Sequence, residues 1–115
     1  MSTTAARSTT TRGLSFEAAT IEAVWRKGQV VENNDPAVWR KDVCGAWMRR
    51  SSYGVCSEYG WEIDHIFPKS AGGSDDLANL QPLQWENNRS KGHSHPRYAC
   101  AVTAKNTDNA AVTRR

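Results

Sequence analysis

No apolar run in this chain approaches the roughly 20 residues that a membrane-spanning helix needs, and the mean hydropathy is −0.69. The expectation is a small soluble domain without a membrane partner. Cysteine is scarce. The three present, Cys44, Cys56 and Cys100, are odd in number and irregular in spacing, which argues against a disulfide framework and for a reducing, cytoplasmic setting. Buried or indifferent thiols are expected, with a Cys44–Cys56 bridge as the minor alternative. The first residues, Met1 to Gly13, are rich in Ser, Thr, Ala and Arg and contain no apolar segment of the secretory type. A strong charge imbalance is also missing: 15 Lys and Arg face 12 Asp and Glu, for a net +3. There is no internal repeat, and 115 residues suffice for one domain.

The chain order is legible in outline. Residues 1–14 offer few core candidates and are expected to form a disordered arm. Ser15 reads as the N-cap of a helix running to about Lys27, with Phe16, Ala19, Thr20, Ala23 and Val24 at helical spacing and Gly28 as its stop. Asn33-Asn34-Asp35-Pro36 is a turn signal. Val43–Arg49 and Glu58–Ile66 read as strands, Ala71–Ala78 as a loop pivoting on Gly72-Gly73, and Asn79–Gln84 as a short strand interrupted by Pro82. A helix follows from Trp85 to about Lys91, with Gly92 as its stop. Beyond His93 the chain is polar and without period, so 99–115 is expected to be a flexible tail. Two strands and a short helix bury little by themselves. The N-terminal helix, a preceding β-hairpin and the five Trp residues must complete the core.

The chemistry-bearing residues concentrate in one stretch. Trp61-Glu62-Ile63-Asp64-His65-Ile66-Phe67-Pro68 is followed by Gly72-Gly73, Asn79-Leu80 and Asn87-Asn88-Arg89-Ser90-Lys91-Gly92. A carboxylate, an imidazole and two spaced carboxamides in so short a span can hold one hard metal ion and activate one water, which points to metal-assisted phosphodiester hydrolysis. Singly, Asp64 would be a surface charge or cap, His65 a core histidine, Asn79 a turn residue and Asn88 a helix-surface residue. Only the joint pattern carries a function.

That pattern, in order and spacing, resembles the HNH endonuclease family over Lys41 to Gly92, with Asn88 where the family name has its last histidine. The resemblance implies an α+β fold: a single small domain over 15–98 whose ββα-metal core spans 58–92, preceded by a helix and a β-hairpin. It also implies a DNA endonuclease using one metal ion. RNA stays open as substrate, because such a site reads phosphate and not sugar. His65 is the expected general base, since an imidazole with its ordinary pKa of about 6.5 is largely neutral at pH 7. Asp64 and Asn88 are the expected metal ligands, and Asn79 would orient His65 or brace the loop. Oxygen ligands in an incomplete shell suit Mg²⁺ or Mn²⁺. Many family members bind structural zinc through two cysteine pairs. Here those positions read Cys44-Gly45-Ala46-Trp47 and Gln84-Trp85-Glu86-Asn87, so no structural zinc is expected.

The remaining assignments are looser. Arg49, Arg50, Lys69, Arg89 and Lys91 are candidates for nucleic-acid contact, with solvated surface charge as the alternative. Glu62 reads equally well as a site residue or a surface charge, and His93 and His95 are at most a weak metal motif. Two further functions compete with an active endonuclease: a nucleic-acid-binding module without catalysis, and a nuclease toxin or RNase. One geometric conflict is visible in advance. Neighbouring residues of a strand point to opposite faces, so Asp64 and His65 converge only if the strand ends or distorts there.

Overall fold

A computed structural model describes residues 8–113. Among these residues, three two-stranded antiparallel sheets and two α-helices form the main elements. Helix α1 spans Ala18–Trp25. Strands β1 (Trp39–Lys41) and β2 (Trp47–Arg49) form the first hairpin. Strand β3 (Trp61–His65) pairs with β4 (Leu80–Gln84), and α2 (Trp85–Lys91) follows β4 without a break. A last hairpin joins β5 (Val102–Lys105) to β6 (Asp108–Ala111).

The core lies between α1 and the β3–β4 pair. Phe16, Val24, Trp25, Met48, Trp61, Ile63 and Leu80 are buried together, with Ile21 and Tyr53 packed on their edge. Trp25 and Trp61 meet with ring centroids 5.2 Å apart, and Tyr53 stands edge-on to Trp61 at 4.9 Å. The indole N–H of Trp25 donates to the Pro36 carbonyl at 2.9 Å, which satisfies the polar edge of a ring that is otherwise inside. Pro82 does not interrupt β4. It sits opposite Ile63 in the register, and a two-stranded sheet leaves every strand an outer edge where a missing N–H goes unnoticed.

Five further expectations need correction. Helix α1 starts at Ala18 with Glu17 as its N-cap; Ser15 instead bridges to Thr9, so its backbone belongs to the N-terminal segment. Only the end of Val43–Arg49 is strand, because Asp42 to Ala46 closes a turn in which the Asp42 carboxylate accepts the N–H groups of Cys44 and Ala46 at 2.9 and 2.8 Å. The stretch expected to be a tail from 99 onward folds back as β5–β6. Trp47 anchors that hairpin, its backbone N–H donating to Asn109 Oδ1 at 2.7 Å and its indole N–H to the Asn106 carbonyl at 2.8 Å. Finally, Cys44 and Cys100 are joined as a disulfide across a sequence separation of 56 residues, leaving Cys56 free and exposed. The reading of all three cysteines as thiols fails because β5 returns to the Asp42 turn, where the Ala104 N–H donates to the Gly45 carbonyl at 3.0 Å. Of the expected N-terminal arm, residues 1–7 lie outside the described residues, whereas 8–14 are built onto the domain.

The disulfide makes a direct prediction. Protein denatured without reductant should react with one equivalent of thiol reagent per chain, at Cys56, and with three after reduction. Closing a loop of this length stabilises by about 4 kcal/mol in the chain-entropy account. Reduction should therefore lower the melting temperature markedly, and three reactive thiols before reduction would refute the pairing.

Candidate active site

Strand β3 separates two chemistries. All five of its residues are buried. By alternation, Trp61, Ile63 and His65 leave one face, and Glu62 and Asp64 the other. The core covers the first face. Helix α2 covers the second, and its Asn88 and Lys91, three residues apart, lie on one side of the helix. Asn88 Nδ2 donates to Glu62 Oε1 at 2.8 Å, and Lys91 Nζ donates to Asp64 Oδ1 at 3.2 Å and to the His65 carbonyl at 3.0 Å. Gln81, opposite Asp64 on β4, donates to Asp64 Oδ2 at 2.9 Å. Burial raises the Asp64 carboxyl above its ordinary pKa and outweighs the opposing pull of Gln81 and Lys91. Arg89 stacks over Trp85 at 4.7 Å, and its guanidinium stands 4.0 Å from Glu62 Oε2.

His65 stands apart from this acidic face. Pairing stays regular up to His65, the last residue of β3. The expected distortion is thus not present, but the strand does end at this pair. His65 Nε2 lies 2.8 Å from Asp75 Oδ1, and the ring sits 6.0 Å from that of Phe16. Burial pushes the Asp75 carboxyl up, but hydrogen bonds from His65 and Thr11 overcome it and hold the pKa below the ordinary value. An ionised Asp75 only accepts. His65 therefore donates to it through Nε2, and Nδ1 makes no hydrogen bond among the described residues.

Asn79 braces the loop and makes no bond to His65. Its Oδ1 accepts from the Phe67 N–H at 2.8 Å, while Nδ2 donates to the carbonyls of Phe67 at 3.1 Å and Ser74 at 2.8 Å. The glycine pivot is required by geometry: Gly72 has φ 97°, and a Cβ on Gly73 would stand 1.7 Å from the Phe67 carbonyl oxygen. Of the basic candidates, Arg49 is exposed and stacks on Trp39 at 5.8 Å. Arg50 is paired with Glu22 at 3.0 Å, Lys69 donates to Thr9 and Thr10, and Lys91 is buried against Asp64. His93 contacts Ser70, and His95 packs edge-on against Phe67.

Two residues that sequence reading passed over position the site. The Asp42 carboxylate accepts from Asn87 Nδ2 at 3.0 Å and from the Gln84 N–H at 2.9 Å. Asn87 Oδ1 accepts in turn from the N–H groups of Ala101 and Val102 at 2.7 and 2.8 Å. This buried pair ties the Asp42 turn, the start of α2 and β5 together. The Gln84 side chain caps α2 by accepting from Glu86 and Asn87. A weak signal was available in the doubled carboxamide Asn87-Asn88, whose two members face different partners.

The family model for HNH endonuclease matches residues 43–94. Over that segment the chain is similar to HNH endonucleases. Its limits enclose Glu62, Asp64, His65, Asp75, Asn79, Asn88 and Lys91, and leave out α1 and the β5–β6 hairpin. Searches of curated proteins and of solved structures gave no significant match. The match supports nuclease activity on a nucleic-acid substrate, and HNH nucleases generally use a divalent metal ion. Among the described residues no group of three His, Cys, Asp or Glu side chains is placed to hold a metal. The donor set is instead two carboxylates and a carboxamide. Asn88 has spent Nδ2 on Glu62, which leaves Oδ1 to coordinate, and each Asp64 oxygen accepts one hydrogen bond and retains a second lone pair. These hard oxygen donors fit an ion such as Mg²⁺ or Mn²⁺. Cys44, the one cysteine left at the family's zinc positions, is bonded to Cys100.

The Lys91–Asp64 pair is nearly solvent-free, with side-chain exposures of 1% and 6%. Removing one partner of such a pair typically costs about 3–5 kcal/mol, whereas replacing both costs far less. Urea denaturation should show Lys91→Met to be strongly destabilising and Lys91→Met with Asp64→Asn to recover most of the loss. Equal destabilisation by the single and double variants would show that the ion pair is not what holds α2 to β3.

Proposed function

We propose that this protein is a metal-dependent endonuclease that hydrolyses DNA phosphodiester bonds at the end of β3, with His65 as general base and a single ion held by Asp64 and Asn88. The observation that carries this reading is the pairing of an oxygen donor set on one face of β3 with a histidine at the strand's last position whose Nδ1 makes no hydrogen bond among the described residues. A phosphodiester is anionic and resists attack. When bound, the ion would neutralise a phosphate oxygen and stabilise the leaving 3′ oxygen. The chain's own residues do the rest. His65 Nδ1 takes a proton from water, the water oxygen bonds to phosphorus as the P–O3′ bond breaks, and solvent protonates the departing oxygen. Glu62 fixes Asn88 by its hydrogen bond, and Asn79 holds the loop that closes the site. Arg49, which is exposed, would contact a phosphate backbone.

One observation favours a second setting for the same chemistry. A disulfide between Cys44 and Cys100 persists in oxidising surroundings, which suits an exported nuclease better than the cytoplasmic enzyme expected from cysteine spacing.

Supercoiled plasmid under single-turnover conditions tests the reading. His65→Ala should slow nicking by roughly 10²- to 10⁴-fold at saturating Mg²⁺. Asn88→Ala should regain activity in part as metal is raised, and so should Asp64→Ala combined with Lys91→Met, which leaves no unpaired buried charge. Chelation by EDTA should stop the wild type. Near wild-type cleavage by His65→Ala, or cleavage indifferent to EDTA, would overturn the mechanism.

A further inference from the structure

The segment ahead of α1 lies outside the residues matched to the family, yet it reaches the catalytic histidine. Residues 9–15 form a small hairpin, with Thr9 bridged to Ser15 and the Thr10 N–H donating to the Leu14 carbonyl at 2.8 Å. It is fastened at three points. Ser8 Oγ accepts the Ile63 N–H of β3 at 2.9 Å and bonds Tyr53 Oη at 2.7 Å. Lys69 Nζ donates to Thr9 Oγ1 at 3.0 Å and to the Thr10 carbonyl at 3.2 Å. At the tip, the Thr11 N–H is shared between Asp75 Oδ1 at 3.0 Å and Oδ2 at 3.1 Å, and Thr11 Oγ1 donates to Oδ2 at 2.9 Å. The same Asp75 Oδ1 receives His65 Nε2 at 2.8 Å.

A carboxylate bound only to histidine could swing with its loop. Here it cannot do so freely. Asn79 grips the neighbouring Ser74 carbonyl from inside the loop, and Thr11 grips the carboxylate from outside it. We infer that Asp75, clamped by Thr11 of the N-terminal hairpin, is a positioning residue for His65. It fixes the ring's rotation and keeps the proton on Nε2, so that Nδ1 is the basic atom and the imidazolium formed on proton uptake is held against a negative charge. Phe16, from the same N-terminal segment, limits ring movement on another side. This role rests on the reading of His65 as general base. It makes the N-terminal hairpin part of the active site, and it explains why Lys69 is spent on backbone and hydroxyl oxygens of that segment.

Two measurements on the full chain separate this inference from the proposed function. Long-range ¹H–¹⁵N NMR of His65 at a pH where it is neutral reads the tautomer without any cleavage. The wild type should show the Nε2–H form, and Asp75→Ala should show a mixture containing Nδ1–H. Single-turnover plasmid nicking reads the consequence. Asp75→Ala should lose roughly 10- to 100-fold in rate with substrate binding little changed, the usual scale for losing an orienting partner. Thr11→Val, which deletes one hydrogen bond to Asp75, should slow nicking less, and its effect should disappear in the Asp75→Ala background. If Asp75→Ala fails to fold, the Thr11→Val tautomer and rate carry the test alone. An unchanged tautomer in Asp75→Ala, a shifted tautomer at full rate, or additive effects of the two substitutions would overturn the inference. A wild-type protein that holds the Nε2–H tautomer but nicks no DNA would sink the proposed function and leave the Asp75–His65 geometry standing.

Discussion

Two carboxylates, Glu62 and Asp64, are buried side by side on one face of a five-residue strand, and the rest of the site is arranged to make that tolerable. Burying one ionised carboxylate without partners costs several kcal/mol even after relaxation. The chain meets the demand with α2, which lays Lys91 on Asp64 and Asn88 on Glu62, and with Gln81 across the sheet. A short helix of seven residues has little reason to form in isolation. It is held because it satisfies the acidic face. The residual cost shows in the raised Asp64 carboxyl. An assembly that keeps hard anionic oxygens dry and only partly compensated is also one that a small divalent ion would stabilise.

The placement of α2 rests in turn on Asp42 and Asn87. Asp42 is 3% exposed and Asn87 fully buried, and burial raises the Asp42 carboxyl despite its hydrogen bonds from Asn87 and three backbone N–H groups. Such a network specifies one arrangement because any half-satisfied alternative leaves a buried polar group unpaired. This part of the site was hidden in the sequence. A lone Asp before Val43 and the first Asn of a pair carry no spacing signal, and their partners lie 45 residues apart in the chain. The motif itself was legible: β3, the glycine pivot, β4 and α2 follow from Asp64-His65, Gly72-Gly73, Asn79-Leu80 and Asn88 with errors of a few residues at the ends.

The two termini show why the remainder was missed. Strands β5 and β6 carry Thr103, Lys105, Asp108 and Asn109, with Val102 the one core residue, so no alternation of apolar and polar residues announces them. They are held by side chains elsewhere, through Trp47, Asn87 and the Cys44–Cys100 bond. The N-terminal segment has the Ser and Thr composition of a disordered arm, but hydroxyls and short backbones are what Lys69, Asp75 and Ile63 require of it. Composition measures how much apolar surface a segment buries and is blind to hydrogen bonds it makes over long sequence distances. The same limit applies to His65: its motif singles it out, but only the fold supplies the Asp75 carboxylate that its Nε2 meets.

The central claim is that α2 and β3 together form an oxygen site for one divalent ion at the end of β3 that His65 closes. Crystals soaked in Mn²⁺, measured for anomalous scattering, test it most directly. The account predicts one strong peak, ligated by the Asp64 carboxylate and the Asn88 carboxamide oxygen, and its loss in Asp64→Ala. No peak on the α2 face of β3, or a peak at His93 and His95 instead, would contradict it.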